Sequence, residues 1–187
     1  MQLSTRVLVL GSTVGLGAAI AAPALAADPG TLDLTINIPR LKVAEYHKPY
    51  VAIWVEKAGA KAKTVAVWYD HDMKANEGTK WLRDVRQWWR VSGRSLTFPA
   101  NGITGATRAP GAHKVSFSRA QLGAAAPGQY VLVIEAAREV GGRELLRIPF
   151  SWPAKAGAGG RAAGTTELGG TVRSQFPHGR WNRRDER

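Results

Sequence analysis

Residues 101–111 read NGITGATRAPG and set two hydroxyls, Thr104 and Thr107, around the small pair Gly105 and Ala106, with Arg108 next. A threonine that serves as a covalent attachment point must present its hydroxyl on a loop. Its neighbours must be small, so that a modifying enzyme can close over the backbone. Gly105 and Ala106 meet that demand. Arg108 lies where a guanidinium would offset the charge of a phosphate carried by Thr107. The same residues also suit an ordinary turn, in which Thr107 bonds only to nearby backbone.

Other chemistry-bearing types are scattered. The four histidines, His47, His71, His113 and His178, stand in no Ser/His/Asp or His-Glu-x-x-His pattern, so no catalytic residue is assigned and the chain reads as a non-enzyme. YDHDMKANEG gathers Asp70, His71, Asp72, Asn76 and Glu77, oxygen ligands of the kind calcium takes. Their spacing does not follow the EF-hand loop, and a polar connection between a strand and a helix is the better reading. No metal site is expected. Trp54, Trp68, Trp81, Trp88, Trp89 and Trp152 offer either a stacking platform for a planar ligand or core filling, and their strand and helix spacing favours core.

The elements that must hold these residues show in the hydrophobic periods. TLDLTINI alternates, with Leu32, Leu34, Ile36 and Ile38 on one face. YVAIWVEK and KTVAVWYD alternate as well, and AGAKA joins them as a hairpin. SLTF and HKVSFS read as shorter strands. QYVLVIEAAREV and RELLRIPFSW form a hairpin around Gly141 and Gly142, a pair suited to positive backbone angles. The period breaks in TKWLRDVRQWWRVSG. There Trp81, Val85, Trp88 and Trp89 share helical spacing, Arg83, Arg86 and Arg90 fall on another face, and Gly93 ends the run. About seven short strands with turns between them predict a mainly β fold. The expected form is an immunoglobulin-like antiparallel β-sandwich with one inserted helix at about 79–91. The Gly-x-Tyr of PGQYVLVIEA resembles a tyrosine corner.

The chain has 187 residues. MQLSTRVLVLGSTVGLGAAIAAPALA carries Arg6, an apolar stretch and a small-x-small end, so residues 1–26 read as a secretory signal peptide. No second apolar run follows, and no transmembrane segment is expected after its removal. Residues 27–153 then form the β-sandwich domain. Residues 154–187 follow as an Ala/Gly-rich linker (PAKAGAGGRAAG), an edge strand at TTELGGTV and a disordered basic tail. With no cysteine, disulfides, Cys-x-x-Cys-His haem and thiolate-held iron–sulfur clusters are excluded. The net charge of +12 suits an acidic partner, and export argues against nucleic acid.

NGITGAT resembles the flavinylation motif of the FMN-carrying subunits of sodium-translocating NADH:quinone oxidoreductases and Rnf complexes, Asp-x-x-(Ser/Thr)-Gly-Ala-(Thr/Ser). Thr104, Gly105 and Ala106 match it, and Thr107 stands at the acceptor position. Asn101 replaces the usual Asp, and Ala109 stands where a second hydroxyl is common. More widely, EYHKPYVAIWVE, VAVWYD, KWLRDVRQWWRVSG, GATRAPG, YVLVIEAAREVGGRELLRIPFSWP and TELG resemble the predicted periplasmic family called domain of unknown function 2271. That resemblance implies company with FAD:protein FMN transferases and PepSY-type membrane reductases. It therefore implies a periplasmic flavin carrier in extracytoplasmic electron transfer, with covalent FMN as cofactor and Thr107, Thr104, Gly105, Ala106 and Arg108 as its site. The alternative is a cofactor-free immunoglobulin-like binding or accessory module.

Overall fold

A computed structural model describes residues 30–123 and 126–177. The signal-peptide reading and the end of the basic tail, from His178 on, lie outside the described residues. Within them the chain forms two facing sheets, the β-sandwich that the strand periods predict. One sheet holds β1 (Thr31–Ile38), β5 (Gly111–Ser118), β8 (Gly159–Gly164) and β9 (Gly170–Gln175) in the order β5-β1-β9-β8. The other holds β2 (Tyr50–Glu56), β3 (Lys63–Trp68), β4 (Thr104–Gly105), β6 (Gly128–Ala137) and β7 (Arg143–Trp152) in the order β4-β3-β2-β6-β7. Every pairing is antiparallel except β3 with β4.

The alternation in β1 does what its period dictates. Leu32, Leu34, Ile36 and Ile38 point between the sheets and are buried. They meet Val51, Ile53 and Val55 of β2 and Leu132 and Ile134 of β6 in the main core. Each such side chain, once buried, contributes about 1.5–3 kcal/mol. Strand β2 is buried on its second face too: Tyr50, Ala52 and Trp54 pack with Leu82, Val85 and Trp88 of the helical segment in a second core. The five-stranded sheet is thus the middle of three layers.

The inserted helix is present in two pieces rather than as one run over 79–91. A 3₁₀ segment spans Lys74–Asp84, kinked at Ala75 and Asn76, and a short helix α1 spans Arg86–Val91. The break lies at Val85, whose φ of −77° and ψ of 71° are not helical. The reason is Glu135 on β6, fully buried beneath the cover. Its carboxylate accepts from the backbone N–H of Gln87 at 3.1 Å and of Trp88 at 2.8 Å, and Arg143 Nη1 donates to it at 2.6 Å. Those donors need no carbonyl from a preceding turn, so the helix starts anew there. The faces read from the sequence hold: Trp88 is buried, and Arg83, Arg86 and Arg90 are exposed.

Four expectations give way. SLTF is not a strand; Gly93–Ser95 is a 3₁₀ turn, and Leu96 and Phe98 pack on the second core. In the β6–β7 turn the positive φ, 50°, belongs to Val140 and not to Gly141 or Gly142. Those glycines are needed for space instead. A Cβ on Gly141 would come within 2.4 Å of the Arg138 guanidinium, and one on Gly142 within 2.8 Å of Glu167 Oε1. The Ala/Gly-rich stretch is no linker, since GGRAAG is β8. A Cβ on Gly159 would meet the Ser174 carbonyl oxygen at 2.3 Å, and one on Gly164 would meet the Leu168 carbonyl oxygen at 1.5 Å. The glycines let two backbones approach. Strand β9 then lies inside its sheet, between β1 and β8, and not at an edge, and Phe176 beyond it is buried against Phe150 and Trp152. The Tyr130 hydroxyl donates to the Ala126 carbonyl at 2.6 Å, the backward bond that Gly-x-Tyr predicts.

Candidate functional site

The loop of Thr107 is positioned by the parallel pairing of β3 with β4. Ala100 N–H bonds the Thr104 hydroxyl at 2.9 Å and closes the turn that leads into β4. Val67 N–H then donates to the Ile103 carbonyl at 2.7 Å, and Tyr69 N–H to that of Gly105 at 3.0 Å. Gly105 lies against Trp68, and a Cβ there would sit 3.2 Å from Trp68 Cδ1. The register pairs Val67 with Thr104 and Trp68 with Gly105. Carried two residues further, it sets Asp70 level with Thr107. The side chains meet there: Thr107 Oγ1 donates to Asp70 Oδ1 at 2.7 Å.

The remaining motif residues surround that bond. Ala106 is exposed and Thr107 half-buried. The Arg108 guanidinium lies over the Trp68 ring, 5.1 Å from its centroid. His113 Nε2 donates to the Ala109 carbonyl at 2.7 Å and pins the chain beyond Thr107. All five predicted site residues therefore fall on one short segment, with Thr104 turned into the turn and Thr107 toward Asp70.

Asp70 also lines a cavity of about 370 Å³. It opens where β2 begins and where β3 and β6 end, which the register places at the same end of the sheet. Tyr46, Tyr50, Met73 and Trp81 give it apolar and aromatic walls, and Asp84, Glu139, His47, Lys48 and Arg138 add charge or polarity. Tyr50 donates to the Gly78 carbonyl at 3.1 Å. Burial above all, with the nearby charges of Asp70 and Glu139, pushes its phenol up to about 12, against a smaller opposing effect of a backbone hydrogen bond at Asp70. The phenol is thus neutral at any physiological pH. Burial raises Tyr46 as well, partly offset by Arg138. His47 bridges Glu45 at 3.0 Å and Glu139 at 3.6 Å.

The family model for predicted periplasmic proteins, DUF2271, matches residues 31–170. The chain belongs to this family. No curated protein and no solved structure matches it. The DUF2271 match spans the strands that bear the site, the helical cover and the TELG stretch. No described helix is long and apolar enough to cross a membrane.

Several features of this DUF2271 chain lay beyond the reach of sequence reasoning. Of the six candidate tryptophans, Trp54, Trp68, Trp88 and Trp152 are buried core, the role their spacing favours, but nothing in the spacing marks Trp81 as the one that lines the cavity. Arg86 and Arg90, on the basic face, do not line it. Asp70 was visible only as part of a polar loop, in which Asp72 pairs with His71 at 2.8 Å and Glu77 with Lys80 at 2.9 Å. Among the described residues no three His, Asp or Glu side chains converge as metal ligands.

A second cluster borders the cavity. Arg138 Nε and Nη2 donate to the Glu167 carboxylate at 3.0 and 3.2 Å, and Gly142 N–H adds a bond at 2.9 Å. Glu144 accepts from the backbone N–H groups of Thr165, Thr166 and Leu168. Burial tends to raise its carboxyl, but these bonds outweigh that and hold it below its ordinary 4.5. The two glutamates thus fasten the β8–β9 loop to the β6–β7 turn.

Proposed function

We propose that this protein is a periplasmic flavin carrier with FMN attached through Thr107, loaded by an FAD:protein FMN transferase and serving electron exchange with a PepSY-type membrane reductase. The observation that carries this reading is the hydrogen bond from the Thr107 hydroxyl to Asp70, on the wall of an aromatic cavity. The residues present suit the group. The hydroxyl is half-buried and lies between an exposed alanine and an exposed arginine. Arg108, next to Thr107 in the chain, is held over Trp68 of β3, where its charge would offset a phosphodiester.

In the loading step Thr107 Oγ forms a bond to the FMN phosphorus of FAD. The pyrophosphate bond breaks and AMP leaves with its electrons. Asp70 Oδ1, already the acceptor of the hydroxyl proton, takes that proton. Asp70 thereby supplies the carboxylate that the loop lacks at Asn101. Bound FMN supplies the reversible electron chemistry, and the protein supplies position and electrostatics. On this reading the chain is a carrier and turns over no substrate of its own.

The test is co-expression of the chain with and without a flavin transferase. A denaturing gel should show flavin fluorescence only with the transferase, and the intact mass should rise by one FMN. Thr107→Ala should abolish both signals, whereas Thr104→Ala should only weaken them, because Thr104 closes the preceding turn. Absence of attached flavin would leave the cofactor-free binding module, and attachment persisting in Thr107→Ala would move the site.

A further inference from the structure

Reduction of a flavin at neutral pH adds negative charge to the ring, so the charge around the ring sets how readily it accepts electrons. The cavity beside Thr107 has the size of a small-molecule site, and the side chains that line it are already in place. Trp81 is half-buried in its wall, with Tyr46 and Met73 as further apolar surface. A planar ring can stack there without rearranging the core. Asp70 belongs both to the bond with Thr107 and to the cavity wall, so a group tethered at Thr107 is held at high effective concentration beside it.

The charge of this cavity is opposite to that of the molecule. In a chain of net charge +12, its wall carries Asp70, Asp84 and Glu139. Of the basic groups on the wall, Arg138 is already neutralised by Glu167 and His47 lies between Glu45 and Glu139, which leaves Lys48. The basic helix face, with Arg86 and Arg90, is elsewhere. We infer that this cavity seats the isoalloxazine ring of the flavin carried by Thr107, and that Asp84 and Glu139 hold that flavin at a low reduction potential. The inference rests on the flavin-carrier reading and adds to it the place of the ring and the direction of tuning. A carrier so tuned passes electrons on to acceptors of higher potential and draws them from a strongly reducing donor.

The experiment uses the flavin-loaded protein. Flavin fluorescence and its quenching by iodide report whether the ring is covered. The wild type should be dim and poorly accessible to iodide. Trp81→Leu should raise both the emission and the iodide quenching several-fold, with Trp81→Phe close to wild type, which separates loss of stacking from loss of fold. Spectroelectrochemical titration should show the midpoint potential rising in Asp84→Asn and rising again in Asp84→Asn/Glu139→Gln. A loaded protein whose ring is fully open to iodide, or indifferent to Trp81, overturns the seat while the carrier reading stands. A potential that is unchanged or falls in the double variant overturns the tuning. Failure of FMN to attach at all overturns both this inference and the carrier reading.

Discussion

At the scale of single residues the question is what Asp70 does to Thr107. A neutral threonine hydroxyl is a poor nucleophile, and a carboxylate 2.7 Å from its oxygen both aims it and stands ready for its proton. Asp70→Asn keeps an acceptor oxygen in the same place and removes the proton sink. Loading by the transferase, followed as the increase of one FMN in intact mass over time, should slow on the order of a hundredfold, with the folded state unchanged by circular dichroism. An unaltered rate in Asp70→Asn would reduce the carboxylate to a surface contact. The two partners were legible separately, Thr107 from its small neighbours and Asp70 as one of a polar group. Their meeting was not. It depends on a parallel register between two strands separated by the whole helical cover, and register is a property of pairing that local periodicity does not carry. Tyr46, His47 and Glu139 were illegible for the same reason, since each is ordinary in its own segment and joins the site only where three strand ends coincide.

At the scale of elements, periodicity served well wherever side chains fill the space. The alternation of β1 and β2 and the aromatic and basic faces of the helical cover all appear as read, because apolar burial enforces them. It failed at β8, where backbone packs on backbone and GGRAAG leaves no pattern to read. Composition alone made a flexible linker of what is a tightly paired strand. Glu144 holds the loop from β8 to β9 at three of its backbone N–H groups. Because its folded pKa lies below its ordinary 4.5, the stability it contributes is present above that value and is lost as pH falls through the lower folded value. Glu144→Gln should therefore lower Tm at pH 7, and the gap to the wild type should close as the pH drops below 4.5. Melting curves of both proteins from pH 7 to pH 3 check this. A gap that stays constant would assign the loop's order to hydrogen-bond shape rather than to charge.

At the scale of the whole molecule, a buried ion pair links the cavity wall to the opposite sheet. Arg138 stands at the end of β6 and lines the cavity, and Glu167 stands between β8 and β9 in the opposite sheet. Their side chains are only 6% and 3% exposed. With the glycines of the β6–β7 turn packed beneath them, the pair ties that turn to the β8–β9 loop. A pair of this kind adds little over an apolar one, but removing one partner leaves the other charge buried without compensation, at a cost of about 3–5 kcal/mol. Glu167→Ala should therefore lower Tm by roughly 10 °C, while Arg138→Met/Glu167→Leu, which removes both charges, should recover much of that loss. The two variants should differ at the site as well. In Glu167→Ala the guanidinium is no longer neutralised and turns a positive charge toward the cavity, so a flavin seated there should shift to higher potential. In the double variant no cation is released, and the potential should stay near that of the wild type. A potential equal in all three proteins would show that the cavity does not feel Arg138, and would leave the pair as a fastening between sheets alone.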